Sequence, residues 1–181
     1  MAPQSGVASR PLNNRRDGME RRFAGKVAFV TCGTTGIGQA TAVRLASEGA
    51  LVGVNRRPSD DPTETVRQIK EVGGEGFPVV ADVRDPAKVE GMARVVAQRG
   101  GRLDYVVSNA GINPFMKWDG TSIEDFDALS ETNFRGTWLV CTEGAKQMIK
   151  EGTVGRSAAR APSPPMWGHH RRLLIAEPRP E

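Results

Sequence analysis

A glycine-rich turn near the start of the chain has the residue types that bind phosphate. Residues 31–38 read Thr-Cys-Gly-Thr-Thr-Gly-Ile-Gly, between an apolar run at 26–31 and a segment with helical periodicity at 36–48. Glycines let backbone N–H groups approach a pyrophosphate at the start of a helix. Such glycines often form only a turn, but the strand–turn–helix context favours dinucleotide binding. The predicted contacts are Thr31, Gly33, Thr34, Thr35, Gly36, Ile37 and Gly38.

Two arginines follow the second apolar run, at Arg56 and Arg57. An acidic residue at this point would bind both hydroxyls of an adenosine ribose and favour NAD, and residues 55–57 contain none. A guanidinium can bind a 2′-phosphate through two parallel hydrogen bonds. We therefore predict that NADP is preferred and NAD is also usable, with Arg57 as the first candidate contact and Arg56 as the second. The alternative is a solvated pair of loop arginines.

Short apolar runs alternate with helical segments from residue 26 to residue 150. The runs at 26–31, 51–54, 77–80 and 103–107 predict strands. The segments at 36–48, 62–72, 86–98 and 122–150 predict helices, the third of them capped by Asp85. This alternation predicts an α/β fold in which helices cover both faces of a parallel sheet. Right-handed crossovers make it a doubly wound, Rossmann-like sheet.

The turn at 31–38 resembles the T-G-x-x-x-G-x-G fingerprint of the short-chain dehydrogenase/reductase family. Thr31, Gly36, Ile37 and Gly38 match it, and Cys32 stands where the first glycine belongs. That glycine supplies a tight turn that a side chain obstructs, so the departure bears on cofactor affinity. The neighbouring residue 33, a glycine, is expected to relieve the strain.

Two later strands are also followed by residues that resemble the family. Asp82 and Val83 follow the third strand, where the resemblance implies an Asp on the adenine amino group and an apolar wall of the adenine pocket. The alternative for Asp82 is a turn cap. Residues 108–111 read Ser-Asn-Ala-Gly, like the family's N-N-A-G, which stabilises the central sheet and brings backbone close to the cofactor. The predicted contacts here are Asn109, Ala110 and Gly111.

The resemblance implies hydride transfer between a nicotinamide and a carbonyl or secondary alcohol. In the family a Tyr moves the proton, a Lys lowers the pKa of that Tyr, a Ser orients the substrate and an Asn supports a relay water. Residues 132–136 match the family pattern x-N-x-x-G, so Asn133 is the expected counterpart, with a helix-surface or capping Asn as the alternative. The nearest subgroups are 3-oxoacyl-carrier-protein reductases and glucose 1-dehydrogenases. A small-molecule substrate and homo-oligomers are implied.

The other catalytic residues of the family have no counterpart in the sequence. Family spacing puts the Ser near position 160 and the Tyr near 173, where Arg160 and Leu173 stand. The only tyrosine is Tyr105, and no lysine follows Lys150. The resemblance therefore covers about residues 23–152, and we expect this chain to be catalytically impaired. The rival hypotheses are a non-catalytic nucleotide-binding or heterodimerising module, with residues 133–150 as its interface, and a truncated product without function.

The basic charge of the chain lies in its two ends. Residues 1–22 and 152–181 each carry a net charge of +3, which leaves −2 for the middle of a chain whose total is +4. This distribution argues against nucleic-acid binding. Residues 1–22 are predicted to be a disordered basic arm, with a transit peptide or a true start at Met19 as alternatives. Residues 23–152 are predicted to be the folded domain.

Residues 153–181 differ in composition from the rest. They are rich in Arg and Pro, which predicts a disordered tail in which only residues 173–176 could form a strand. A stretch read out of frame is one interpretation of this composition. The two cysteines lack metal-ligand spacing and fit a reducing, cytoplasmic compartment. Because of that cysteine spacing, no metal is expected. No apolar run reaches the ~18 residues of a membrane span, so no membrane is expected either.

Overall fold

The computed structural model describes residues 15–16, 19–113, 120–159 and 174–176 of the chain. The first elements are β1 (Arg15–Arg16), β2 (Met19–Glu20), β3 (Val27–Val30), α1 (Gly36–Ser47), β4 (Leu51–Arg56), α2 (Thr63–Glu71) and β5 (Glu75–Val80). After them come α3 (Pro86–Gly100), β6 (Tyr105–Ser108), α4 (Ile123–Ser130), a π-helical turn (Glu131–Arg135), α5 (Gly136–Lys150), β7 (Arg156–Ala159) and β8 (Leu174–Ala176).

A sheet of parallel strands forms the centre of the molecule. Its spatial order is β5-β4-β3-β6-β7, all parallel, with β8 antiparallel on the outer side of β7. The chain winds outward from β3 to β5 and then returns to add β6 and β7 on the other side. The predicted doubly wound α/β fold is confirmed, and its point of reversal lies between β3 and β6.

Each face of the sheet packs against a separate hydrophobic cluster. On one face Phe29 and Val106 pack with residues of α3 and α5, including Met92 and Val140. On the other face Val30, Val52 and Val54 pack with Ala42 and Ala46 of α1 and Ile69 of α2. Neighbouring residues of a strand point to opposite faces, so the continuous apolar runs of β3 and β4 are what a sheet covered on both sides requires.

Two helix starts are fixed by side-chain caps. The Asp85 carboxylate accepts the N–H groups of Ala87 and Lys88 at 3.1 and 3.2 Å, as predicted for the start of α3. Ser122 and Asp125 form a reciprocal capping box at the start of α4. The segment predicted as helical at 122–150 is interrupted by the π-helical turn, which divides it into α4 and α5.

The strand β7 corrects the element prediction, which had placed no strand between residue 152 and residue 173. It runs beside β6 from Arg156 to Ala159, and the Arg156 N–H donates to the Asp104 carbonyl at 2.8 Å. Its sequence, Arg-Ser-Ala-Ala, lacks the apolar run by which the other strands were predicted. Arg160 and Leu173, where family spacing puts the Ser and the Tyr, lie outside the described residues, as do residues 1–14.

Two buried carboxylates tie together the amino-terminal ends of the strands. Glu48 accepts hydrogen bonds from the guanidinium groups of Arg22 and Arg44. Asp104 accepts from Arg102 at 2.6 Å and from the Val27 N–H at 3.0 Å. The side chains of both acids are at most 3% exposed, so these pairs hold β3, β4 and β6 in position. In the described part of the chain, no helix is both long and apolar enough to span a bilayer.

Candidate functional site

A cavity of about 280 Å³ opens at the carboxyl-terminal edge of the sheet. It lies where the strand order reverses, which is where doubly wound sheets bind ligands. Five predicted contacts line it, namely Arg57, Asp82, Val83, Ala110 and Gly111. Its other walls are Cys32, Asn55, Asp60, Ala81, Arg84, Ile112 and Thr132. The remaining predicted contacts, in the turn at 31–38 and at Arg56 and Asn109, lie outside its walls.

The start of α1 presents backbone N–H groups without a competing side chain. Its capping residue, Thr35, makes no side-chain hydrogen bond to the helix, and the first turn contains no acidic residue. Gly36 has a φ of +55° and open space around its α-carbon. A Cβ on Gly38 would lie 2.1 Å from the Cys32 carbonyl oxygen and 2.6 Å from the Asn109 amide nitrogen. Only glycine at position 38 therefore lets the helix start so close to the Cys32 carbonyl and to Asn109, which follows β6.

Cys32 itself adopts the left-handed conformation of the turn, with a φ of +51°. The expectation that Gly33 relieves this strain is wrong, because Gly33 has no positive φ. Glycine is needed at position 33 for another reason, because an added Cβ would lie 2.9 Å from the Val54 side chain. A non-glycine residue in this region costs about 1–2 kcal/mol, so the turn stores strain at the residue where the fingerprint has glycine.

Thr31 and Asn109 join the turn to the end of β6. The Thr31 hydroxyl oxygen accepts the N–H groups of Asn109 and Ala110 at 2.8 and 2.9 Å. The Asn109 amide nitrogen donates to the carbonyl oxygens of Thr31 and Cys32 at 3.2 and 3.4 Å. Its Oδ1 is buried and accepts no hydrogen bond. An unsatisfied acceptor beside the start of α1 is an acceptor open to a bound ligand.

Sequence reasoning missed two buried side chains that support the same turn. Asn55 Oδ1 accepts the Cys32 N–H at 3.2 Å, and its amide nitrogen donates to the carbonyl of Ala81 at 3.0 Å. The Thr65 hydroxyl, on α2, donates to the Gly33 carbonyl at 3.1 Å. An Asn at a strand end and a Thr within a helix are common residues without a spacing signal, since their partners lie far away in the sequence.

Arg56 and Arg57 have different partners. The Arg56 Nη1 donates to the carbonyl oxygens of Arg57, Pro58 and Asp60 at 3.1, 3.1 and 2.9 Å, so it holds the β4–α2 loop closed. Arg57 lines the cavity with a side chain that is 63% exposed. Its Nη2 and Nε donate to the two oxygens of Asp60 at 3.1 and 3.2 Å. The hydrogen bond from Arg57 holds the pKa of Asp60 below its usual range.

Asp82 and Val83 form the wall opposite this loop. Asp82 accepts the Arg84 N–H at 2.9 Å and its guanidinium at 2.7 Å. The hydrogen bond from the Arg84 side chain lowers the pKa of Asp82 to about 2. Asp82 therefore caps the turn, which is the alternative role, and it also lines the cavity; its contact with an adenine stays a prediction. Val83 is buried in the hydrophobic core.

Asn133 lies in the π-helical turn and is buried, not on the helix surface. Its Oδ1 accepts the Ile112 N–H and its amide nitrogen donates to the Ile112 carbonyl, both at 2.8 Å. A Cβ on Gly111 would lie 3.1 Å from Asn133 Oδ1. The amide thus fixes the backbone that leaves β6, on the wall of the cavity.

A family model described as short chain dehydrogenase matches residues 26–157, which include the turn, the cavity and Asn133. The chain belongs to the short-chain dehydrogenase family. The Armillaria gallica short-chain dehydrogenase/reductase is 39% identical over 73% of this chain and 51% of the relative. The glucose 1-dehydrogenase of Gluconobacter oxydans is 34% identical over 74% of this chain and 51% of the relative. The chain spans about half the length of these curated relatives.

Solved structures of short-chain dehydrogenases share the fold. One from Burkholderia cenocepacia J2315, in complex with NADP, is 34% identical with a TM-score of 0.66, over 70% of this chain and 52% of that one. Another, from Mycobacterium paratuberculosis and bound to NAD, is 34% identical with a TM-score of 0.67, over 74% of this chain and 54% of that one. Both cofactors thus occur among structures similar to this chain.

The described residues of this short-chain dehydrogenase fit a dinucleotide. The start of α1 is uncapped by side chains, and residues 36 and 38 are glycines. The Oδ1 of Asn109 is an unsatisfied acceptor beside that turn. The cavity at the strand ends is bounded by a guanidinium and an apolar wall. A pyrophosphate is complementary to the start of α1, and a ribose hydroxyl is the kind of donor that the Asn109 amide oxygen can accept.

Proposed function

We propose that the chain binds NADP or NAD along the carboxyl-terminal edge of the sheet. The adenosine would occupy the cavity, and the pyrophosphate would lie at the start of α1. The observation that carries this proposal is the helix start itself, where neither a cap nor an acid competes for the N–H groups. The partial positive charge of a helix N-terminus stabilises an anion there.

At the adenosine end, Asp82 and Val83 are proposed to bind the adenine. Val83 offers an apolar surface for the ring, and the Asp82 carboxylate is an acceptor for its amino group. Arg57 is proposed to bind the 2′-phosphate of NADP, because its guanidinium lines the cavity and is largely exposed. The contact is assigned to Arg57 alone, since Arg56 does not line the cavity and its Nη1 donates to the loop carbonyl oxygens.

We propose for the whole protein the reaction class of its family, the NAD(P)-dependent oxidoreduction of a carbonyl or secondary alcohol in a small molecule. The nicotinamide, when bound, supplies or accepts the hydride. Asn133 would act by holding the Ile112 backbone at the cavity wall. The likeness to a glucose 1-dehydrogenase agrees with one of the two predicted substrate classes. A 3-oxoacyl substrate and a homo-oligomeric state stay predictions.

A specific observation favours a second candidate, a nucleotide-binding module without catalysis. Tyr105, the only phenol of this chain, is the first residue of β6 and packs edge-on against Phe23, with ring centroids 5.2 Å apart. The start of β6 lies at the opposite edge of the sheet from the cavity. The residue type that moves the proton in the family is therefore far from the proposed cofactor.

Cofactor binding tests the proposal. We expect calorimetric titration to give saturable binding of NADPH and NADH to the wild-type chain. Arg57→Ala should weaken the binding of NADPH by about tenfold or more, since a hydrogen bond to a charged group contributes about 1.5–3 kcal/mol. NADH binding should change little. Arg67→Ala is the matched control, because Arg67 on α2 pairs with Glu64 and Glu71 and does not line the cavity.

If neither NADPH nor NADH binds to the wild-type chain, the proposal is contradicted. If the NADPH affinity is unchanged in Arg57→Ala, Arg57 does not bind the 2′-phosphate, and the proposed site of the pyrophosphate still stands.

A further inference from the structure

An acidic residue lies at the cavity after all, although the end of β4 has none in sequence. Asp60 is three residues beyond Arg57, and the loop between them turns back on itself, with the Asp60 N–H donating to the Arg57 carbonyl at 3.1 Å. This turn brings both side chains to the wall of one cavity. The sequence interpretation expected a phosphate to meet arginine alone.

The Asp60 carboxylate is held firmly in this position. Its Oδ2 accepts the Arg57 N–H at 3.1 Å, and its Oδ1 accepts the Ser59 hydroxyl at 3.2 Å. The two guanidinium contacts from Arg57 add to these. The Asp60 side chain is only 16% exposed, and Arg56 clamps the carbonyl oxygens of the same loop. The carboxylate is therefore a fixed negative charge at the cavity wall.

We propose that Asp60 is a specificity-determining residue that opposes the 2′-phosphate and favours an unphosphorylated adenosine ribose. This inference rests on the proposed function, since it concerns the same dinucleotide site. An ionised carboxylate can accept a hydrogen bond from a ribose hydroxyl, whereas a phosphate ester in its place would meet a like charge. A 2′-phosphate must also compete with Asp60 for the guanidinium of Arg57.

Arg57 and Asp60 thus act against each other at one point of the cofactor. Arg57 attracts a 2′-phosphate, and Asp60 both repels it and occupies the Arg57 donors. The pair reduces the selectivity that Arg57 alone would give, so this chain accepts both forms of the cofactor. An exposed ion pair of this kind contributes about 0.2–1 kcal/mol, so the effect of Asp60 on selectivity is about 1.4- to fivefold.

The test uses the adenosine halves of the two cofactors, so that the nicotinamide end plays no part. Adenosine 2′,5′-bisphosphate and adenosine 5′-monophosphate are titrated calorimetrically into wild type, Asp60→Asn and Asp60→Ala. We expect the ratio of the two affinities to move toward the bisphosphate by about 1.4- to fivefold in both variants. Glu64→Gln is the matched control, since it removes one negative charge nearby on α2 from a residue that does not line the cavity.

The ratio separates specificity from structural damage, because a loosened loop weakens both ligands together and leaves their ratio unchanged. A ratio that stays at the wild-type value in both Asp60 variants, or moves equally in Glu64→Gln, overturns the role of Asp60. In that case binding of both ligands to wild type still supports the proposed function. If neither ligand binds to the wild-type chain, the proposed function fails and this inference fails with it.

Discussion

Cys32 is a single residue whose backbone conformation suits glycine better than cysteine. Its φ of +51° lies in the left-handed region, which costs a residue with a Cβ about 1–2 kcal/mol. Glycine loses more backbone entropy on folding, which offsets part of the gain. We therefore expect Cys32→Gly to raise the free energy of unfolding by about 0.5–1 kcal/mol and to tighten NADPH binding. Urea denaturation and calorimetric titration measure the two effects.

The control for this substitution is Cys32→Ser, which keeps a Cβ and removes only the thiol. If serine stabilises the chain as much as glycine does, the thiol and not the backbone is the source of the gain. A loss of stability in Cys32→Gly would mean that contacts of the Cys32 side chain outweigh the strain.

Single residues of the site could be predicted where they belong to a motif. The turn at 31–38 and Asn133 were predicted in this way, because their spacing carries the signal, and their roles in binding and catalysis stay predictions. Asn55, Asp60 and Thr65 were not found, since each works through a contact that only the folded chain creates. Asp60 is the clearest example: its carboxylate reaches the cavity because a tight turn reverses the chain between it and Arg57.

At the scale of elements, the start of α1 lies close to the turn that leaves β3 and to Asn109, just beyond β6. Ala at position 38 would put a Cβ 2.1 Å from a backbone oxygen, which a side-chain rotation cannot relieve. We expect Gly38→Ala to lower the free energy of unfolding by at least about 2 kcal/mol and to abolish NADPH binding. Thermal melts with and without NADPH measure both.

The matched control is Gly91→Ala, inside α3, where no atom lies within 4 Å of the added Cβ. Alanine is about 0.8–1 kcal/mol more favourable than glycine in a helix interior, so this variant should melt higher and bind NADPH normally. A Gly38→Ala variant that melts and binds like wild type would show that the turn at Cys32 can move away from the start of α1.

The elements themselves could be predicted where hydrophobicity and pairing agree. The strands β3 and β4 have continuous apolar runs because helices cover both faces of the sheet there. Residues 156–159 are too polar to give that signal, and β7 forms through backbone pairing with β6. The π-helical turn was also not predicted, since one extra residue in a turn changes a 3.6-residue pattern very little.

Across the whole molecule, buried carboxylates make stability depend on pH. The hydrogen bond from Arg22 lowers the pKa of Glu48 from 4.5 to about 2 against the effect of burial. Burial would raise the pKa of Asp104, but hydrogen bonds from Arg102 and the Val27 N–H outweigh it and lower the pKa. A carboxyl with a lowered pKa stabilises the folded chain above its unfolded pKa, and this contribution is lost as the pH falls through the folded pKa.

We therefore expect stability to fall as the pH drops from about 5 toward 2, with Glu48 accounting for roughly 1–3 kcal/mol. Glu48→Gln should lower stability at neutral pH and make the acid slope shallower, as followed by urea denaturation across this pH range. Glu90→Gln on α3, whose side chain is 64% exposed, should leave the slope nearly unchanged. An acid slope that is the same in wild type and Glu48→Gln would contradict this assignment.

Turnover is a property of the whole molecule, because hydride and proton must move at the same place. Tyr105 lies at the start of β6, about 10 Å along the strand from the cavity edge at a rise of about 3.3 Å per residue. The described carboxyls that line the cavity are Asp60 and Asp82, and both have lowered pKa values. Both are ionised at neutral pH, so neither can act as the proton donor.

We therefore expect this chain to bind NADPH without reducing 3-oxoesters, sugars or quinones at a measurable rate. General acid–base catalysis contributes about 10²–10⁴-fold only when the acid is held in reach of the reacting oxygen, and the described part of the chain holds none there. The assay follows NADPH oxidation with each substrate, beside a full-length relative. Tyr105→Phe is the informative variant: turnover comparable to the relative's that disappears in Tyr105→Phe would show that Tyr105 reaches the substrate and that the chain is an active dehydrogenase.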